Sequence, residues 1–132
     1  MTIDKKMYRS GPFKEVFAQG VRVGHTLHLA GQVSMNEAGE VVGPGDLVAQ
    51  TRQIYANIEH VLGQFGADMS NLVDETIFVT DVGQVMKELE AFAGARAEAF
   101  GGSPDVSQTL VQVAALVMPE LVIEIKCVAM LE

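Results

Sequence analysis

Two short apolar runs, residues 17–23 and 26–30, flank Gly24-His25, a pattern that predicts a β-hairpin followed by a break at Gly31-Gln32. Residues 36–45 hold four glycines or prolines and read as a loop. Asp46 then stands where an N-cap belongs, and Ile54, Ile58, Val61, Leu62 and Phe65 recur at helical spacing up to Gly66. Residues 72–80 are rich in β-branched and aromatic side chains, with a strand predicted over 76–80. Asp81 and Gln84 have capping-box spacing. Val82, Val85, Met86, Leu89, Phe92 and Phe100 supply the apolar stripe of a second helix, ended by Gly101-Gly102. Two further strands, 109–116 and 121–131, are joined by a turn around Met118-Pro119-Glu120. The predicted order is β-β-α-β-α-β-β.

Two helices can cover one face of a sheet of about five strands, but not both faces. Along the last strand one side carries Leu121, Ile123, Ile125, Cys127, Ala129 and Leu131; the other carries Val122, Glu124, Lys126, Val128 and Met130. The second side is too apolar for plain solvent exposure, which implies a homo-oligomer with a polar pocket in its interface. Each 100 Å² of apolar surface buried there would contribute about 2.5 kcal/mol.

Composition narrows the classes. The 132 residues are expected to form one domain, and 48% hydrophobic with 20% charged residues describes a globular chain. The longest apolar runs fall far short of a bilayer span, and no apolar h-region follows the charged N-terminus, so a cytoplasmic location is expected. Cys127 is the single cysteine, which excludes an internal disulfide and any cysteine-based metal cluster. A net charge of −8, with only 9 scattered Lys and Arg, argues against nucleic acid as a partner.

Most chemistry-bearing residues read as structural. His25, His28 and His60 lack a third ligand at metal spacing, so no metal is expected. Cys127 falls among the buried apolar positions of its strand. There is no glycine-rich phosphate motif. Glu124 differs, because it interrupts the apolar strand Leu-Val-Ile-Glu-Ile-Lys-Cys-Val-Ala-Met. A carboxylate there is costly unless it is hydrogen-bonded, ion-paired or near water in a cleft. Two readings stand side by side: an acid or base of raised pKa, or an ion pair with Lys126 or a neighbouring strand.

The element order, the hairpin Phe-Ala-Gln-Gly-Val-Arg-Val-Gly-His-Thr-Leu-His-Leu-Ala-Gly-Gln-Val, the stretch Glu-Thr-Ile-Phe-Val-Thr-Asp-Val and the ending from Val111 to Met130 together resemble the Rid family, also called YjgF or L-PSP. The likeness implies a chorismate-mutase-like α/β (α+β) fold: one mixed sheet with two helices on one face, assembled as a homotrimer with a central barrel and small-molecule clefts between subunits. It also implies hydrolysis of 2-imino and 2-enamino acids to 2-keto acids and ammonia, with no cofactor, although some members are described as ribonucleases. By this likeness Phe17 stands where the deaminase branch has tyrosine, Ala30-Gly31-Gln32 matches its Ser-Gly-Gln, and Glu124 matches the acid that positions the attacking water. Gln108 falls where that branch has the arginine that pairs with the substrate carboxylate, and the backbone near Leu110 offers further hydrogen bonds. A glutamine amide supplies neither the charge nor the guanidinium fork, a loss of about 2–4 kcal/mol, or roughly 30- to 1000-fold in affinity. The expectation is a small-metabolite cleft that hydrolyses an imine, enamine or related C–N bond but is not a standard 2-iminobutanoate deaminase. The alternatives are a non-catalytic binding or sensing trimer and, third, a ribonuclease.

Overall fold

A computed structural model describes residues 2–132. It contains β1 (Lys6–Tyr8), β2 (Gly20–Val23), β3 (Thr26–Leu29), β4 (Gln32–Val33), α1 (Leu47–Gly63), β5 (Leu72–Val79), α2 (Val82–Lys87), α3 (Leu89–Phe100), β6 (Ser107–Gln112) and β7 (Ile123–Met130). The strands form one sheet in the order β1-β2-β3-β7-β5-β6, with the two-residue β4 also paired to β7. Only β5 and β6 run parallel; the sheet is mixed, as expected. β3 and β4 lie against successive parts of β7, Thr26 opposite Met130 and Val33 opposite Glu124. The chain between them, at Ala30-Gly31, is therefore free of the strand ladder.

Local chemistry places these elements. The hairpin β2–β3 turns through Gly24 at φ 59°, a left-handed conformation that glycine adopts without cost. The Asp46 carboxylate accepts from Ala49 N–H at 3.0 Å and starts α1 as predicted. Ile54, Ile58, Val61 and Leu62 are buried against Leu27, Leu29, Ile123 and Ile125. Gly20 lets the end of α1 approach β2, since a Cβ there would meet the Phe65 ring at 2.8 Å.

Four differences from the sequence reading matter. The strand predicted over 76–80 begins at Leu72, so Glu75 is inside the sheet. The predicted second helix breaks at Glu88 (φ −109°, ψ 23°); Met86 and Leu89, assigned to its buried stripe, are 60% and 47% exposed. Residues 17–19 lie before β2 rather than within it, and the strand predicted over 109–116 stops at Gln112. The helices cover one face. The other sets Phe78 opposite Val111 on one side and Glu124 on the other, with Val128 opposite Asp74, and no helix lies over them.

Candidate functional site

The segment after β1 crosses the mouth of a cleft. Val16 N–H and Phe17 N–H both donate to Phe13 O, at 2.8 and 3.1 Å, and the Phe13 and Phe17 rings stack with centroids 5.6 Å apart and 17° between planes. Gln19 N–H donates to Tyr8 O at 2.7 Å, and Ala30 N–H to Gln19 O at 2.9 Å, pinning this segment to the unladdered Ala30-Gly31 step. The cleft beneath has a volume of about 460 Å³, and Phe13, Phe17, Val33, Met35, Gly31 and Glu124 are among the residues that line it.

Glu124 reaches this cleft because β7 puts it on the helix-free face, opposite Phe78 of β5 and Val33 of β4. Its carboxylate lies over Gly31, where a Cβ would come 2.9 Å from the carboxyl carbon, so any larger residue there would have to displace the Glu124 carboxylate. Burial among these groups raises its pKa, and the nearby Lys126 ammonium partly offsets this. No ion pair to Lys126 forms within 4 Å: among the described residues the ion pairs are Arg52–Glu98 and Arg96–Glu75. Lys126 Nζ instead donates to Leu29 O at 2.9 Å. The half-buried carboxylate thus keeps its acceptor capacity for something in the cleft.

The structure brings Phe17, Gly31 and Glu124 together. Gln32 supports them from behind: its buried amide donates to Gln19 Oε1 at 2.8 Å and to Ala30 O at 3.1 Å, bracing both walls. Gln108 and Leu110 are elsewhere. They sit on the outer strand β6 in register with Glu75 and Ile77, on the helix-covered face, Leu110 packing on the core and Gln108 exposed. Within one chain they do not line the cleft.

Two features escaped the sequence reading. His60 lines the same cleft, and its Nε2 lies 3.0 Å from the Tyr8 hydroxyl; a helix position with an exposed side chain gave no signal of this. Glu75, fully buried, accepts from Tyr55 OH at 2.9 Å and pairs with the Arg96 guanidinium, whose Nε also donates to Tyr55 OH at 3.1 Å. Burial raises the Tyr55 phenol pKa, and burial beside Glu75 raises that of the Cys127 thiol, which keeps the sulfur from acting as a thiolate nucleophile. Among the described residues no group of three or more His, Cys, Asp or Glu is placed to hold a metal ion, and no helix is long and apolar enough to cross a membrane.

A mixed sheet with helices on one face, broken at Ala30-Gly31 above an aromatic and carboxylate cleft, defines a chorismate-mutase-like α+β protein. The model of the family described as Endoribonuclease L-PSP matches residues 11–131, and the chain belongs to that family, the YjgF or Rid family. It is 35% identical over 106 residues to Protein DfrA of Myxococcus xanthus, covering 80% of this chain and 76% of that one. Over 66 residues, 50% of this chain and 48% of the other, it is 32% identical to 2-iminobutanoate/2-iminopropanoate deaminase of Capra hircus. A crystal structure of a YjgF/YER057c/UK114 family member from Mycobacterium tuberculosis superposes with a TM-score of 0.78 at 30% identity, over 97% of this chain and 100% of that one.

Proposed function

We propose that the cleft binds a small metabolite and hydrolyses its imine or enamine C–N bond, and that the working unit is a homotrimer in which β6 of a neighbouring subunit closes the cleft with Gln108 and the Leu110 backbone. The observation that carries this reading is Glu124: a half-buried, unpaired carboxylate over Gly31 with an aromatic wall at Phe17. The reaction consumes one imine and one water and yields one carbonyl compound and one ammonia. Glu124 accepts one water proton as the water oxygen bonds to the imine carbon and passes it to the nitrogen; the remaining hydroxyl proton follows by the same route as the C–N bond breaks, so the carbonyl forms and ammonia leaves with both water protons. A raised pKa suits both steps near neutrality. Relatives named as 2-iminobutanoate/2-iminopropanoate deaminases lend the reaction class support.

Gln108 in place of the arginine turns selectivity away from 2-imino acids, because its amide can hydrogen-bond a neutral group but cannot neutralise a carboxylate. The test couples a dehydratase that releases 2-aminoacrylate to this protein and follows imine decay beside an arginine-bearing relative. Slower decay than with the relative is expected, with a further drop of about 10²- to 10⁴-fold for Glu124→Gln on any imine that is turned over. Decay as fast as the relative's, and indifferent to Gln108→Ala, overturns the assignment of Gln108. The absence of both the tyrosine hydroxyl and the arginine charge favours one second reading, a binding or sensing trimer. Ligand-dependent thermal stabilisation without turnover would identify it. Ribonuclease activity gains no support from a cleft without Lys or Arg among its lining residues.

A further inference from the structure

The charge pattern of the cleft identifies the kind of ligand it takes. Glu124 and Glu37 both line the part of it that one chain supplies, and the described residues that line it include no lysine or arginine. Lys126, on the same face of β7 as Glu124, donates to Leu29 O and forms no ion pair with Glu124, although its charge still acts on the carboxylate. The Glu124 carboxylate has no hydrogen-bond or ion-pair partner among the described residues, although burial has already removed part of its water. Two stacked phenylalanine rings, Phe13 and Phe17, line the same cleft, Phe17 still 39% exposed. An unpartnered, partly desolvated acid in a cleft that also holds an aromatic surface attracts an N–H-bearing cation, through a charge-assisted hydrogen bond to the carboxylate and the quadrupole of the rings. The same acids repel a carboxylate.

We infer that the Phe17–Glu124 cleft selects an organic cation with an apolar body and no carboxylate: a protonated amine, or the iminium formed from one. This rests on the same cleft being the ligand site, and it narrows the substrate class to imines derived from simple amines rather than from amino acids.

Binding alone tests this, apart from turnover. Benzylammonium, benzyl alcohol and benzoate share one ring and differ in charge, and each is titrated calorimetrically into the full chain at neutral pH and low salt. Benzylammonium is expected to bind about 10- to 100-fold more tightly than benzyl alcohol, with benzoate weakest. Glu124→Gln should erase that preference, with circular dichroism and the melting temperature showing that the variant still folds. Phe17→Leu should reduce it by a few fold. Benzoate binding as tightly as benzylammonium, no benzylammonium binding at millimolar concentration, or a preference unchanged by Glu124→Gln overturns the inference. A protein that selects benzylammonium through Glu124 yet hydrolyses no imine upholds it and refutes the hydrolase; one that hydrolyses 2-imino acids and favours benzoate does the reverse.

Discussion

Glu124 is held above the ordinary carboxylate range by burial between Phe78, Val33 and Gly31, with Lys126 opposing the shift. A carboxyl whose native pKa exceeds its unfolded value binds its proton more tightly in the folded state. Its favourable contribution is therefore complete below the unfolded value of about 4.3 and is lost as pH rises through the native value. Glu124→Gln should leave the melting temperature nearly unchanged at the acid end of that window and raise it progressively above, reaching a plateau once the native carboxyl is ionised. His60 and Glu37 line the same cleft, so His60→Gln is run in parallel to assign the transition. A melting temperature lowered by Glu124→Gln at neutral pH would mean that the charged form is stabilised and the desolvation account is wrong. Glu124 was legible in the sequence because a charge inside an apolar strand stands out against its neighbours. Glu75 is more deeply buried yet was not legible: preceded by Asp74, it reads as polar chain leading into a strand, and its partners Tyr55 and Arg96 are 20 and 21 residues away.

At the scale of elements, the break at Glu88 shows tertiary packing overriding a continuous local pattern. Lys87-Glu88-Leu89-Glu90 contains no proline or glycine to mark it. The benefit lies in what α3 carries: Phe92 and Ala95 are buried, Phe100 meets Tyr55 edge-on, and Arg96 reaches Glu75 beneath the helix. Removing one partner of such a pair strands a buried charge. Arg96→Met should destabilise the protein by about 3–5 kcal/mol, and adding Glu75→Leu should recover most of that loss, because a buried pair and a packed apolar replacement are close in free energy. Urea melts of the two variants at equal protomer concentration decide it; a double variant no better than Arg96→Met would show that the triad fixes geometry beyond charge balance. The hairpin, α1 and its Asp46 cap were legible because each depends on neighbours within one turn or one strand. β1 and β4 were not, being three and two residues long and defined by pairing with distant strands.

For the whole molecule, the deciding feature is the helix-free sheet face. Phe78, Val128 and Val111 line it beside Glu124 and Lys126, and Met130 and Val111 are 44% and 40% exposed in the single chain. β6 is the last strand of the sheet, with β5 on one side and no strand on the other. A homotrimer burying these faces inward would cover the apolar positions, and on the proposed reading it is the unpaired edge of β6, not that face, that carries Gln108 to a neighbour's cleft. Light scattering behind a sizing column is expected to give the mass of three chains, and the melting temperature should rise with protomer concentration. Val128→Glu places a third carboxylate on that face, directly opposite Asp74, where burial in an interface would leave it unpaired. It should dissociate the assembly while circular dichroism of the separate chains stays native, and imine turnover should fall with the trimer although Phe17, Gly31 and Glu124 are untouched. Activity that persists in a Val128→Glu monomer would mean that one chain completes the cleft by itself, and would remove Gln108 and Leu110 from the site.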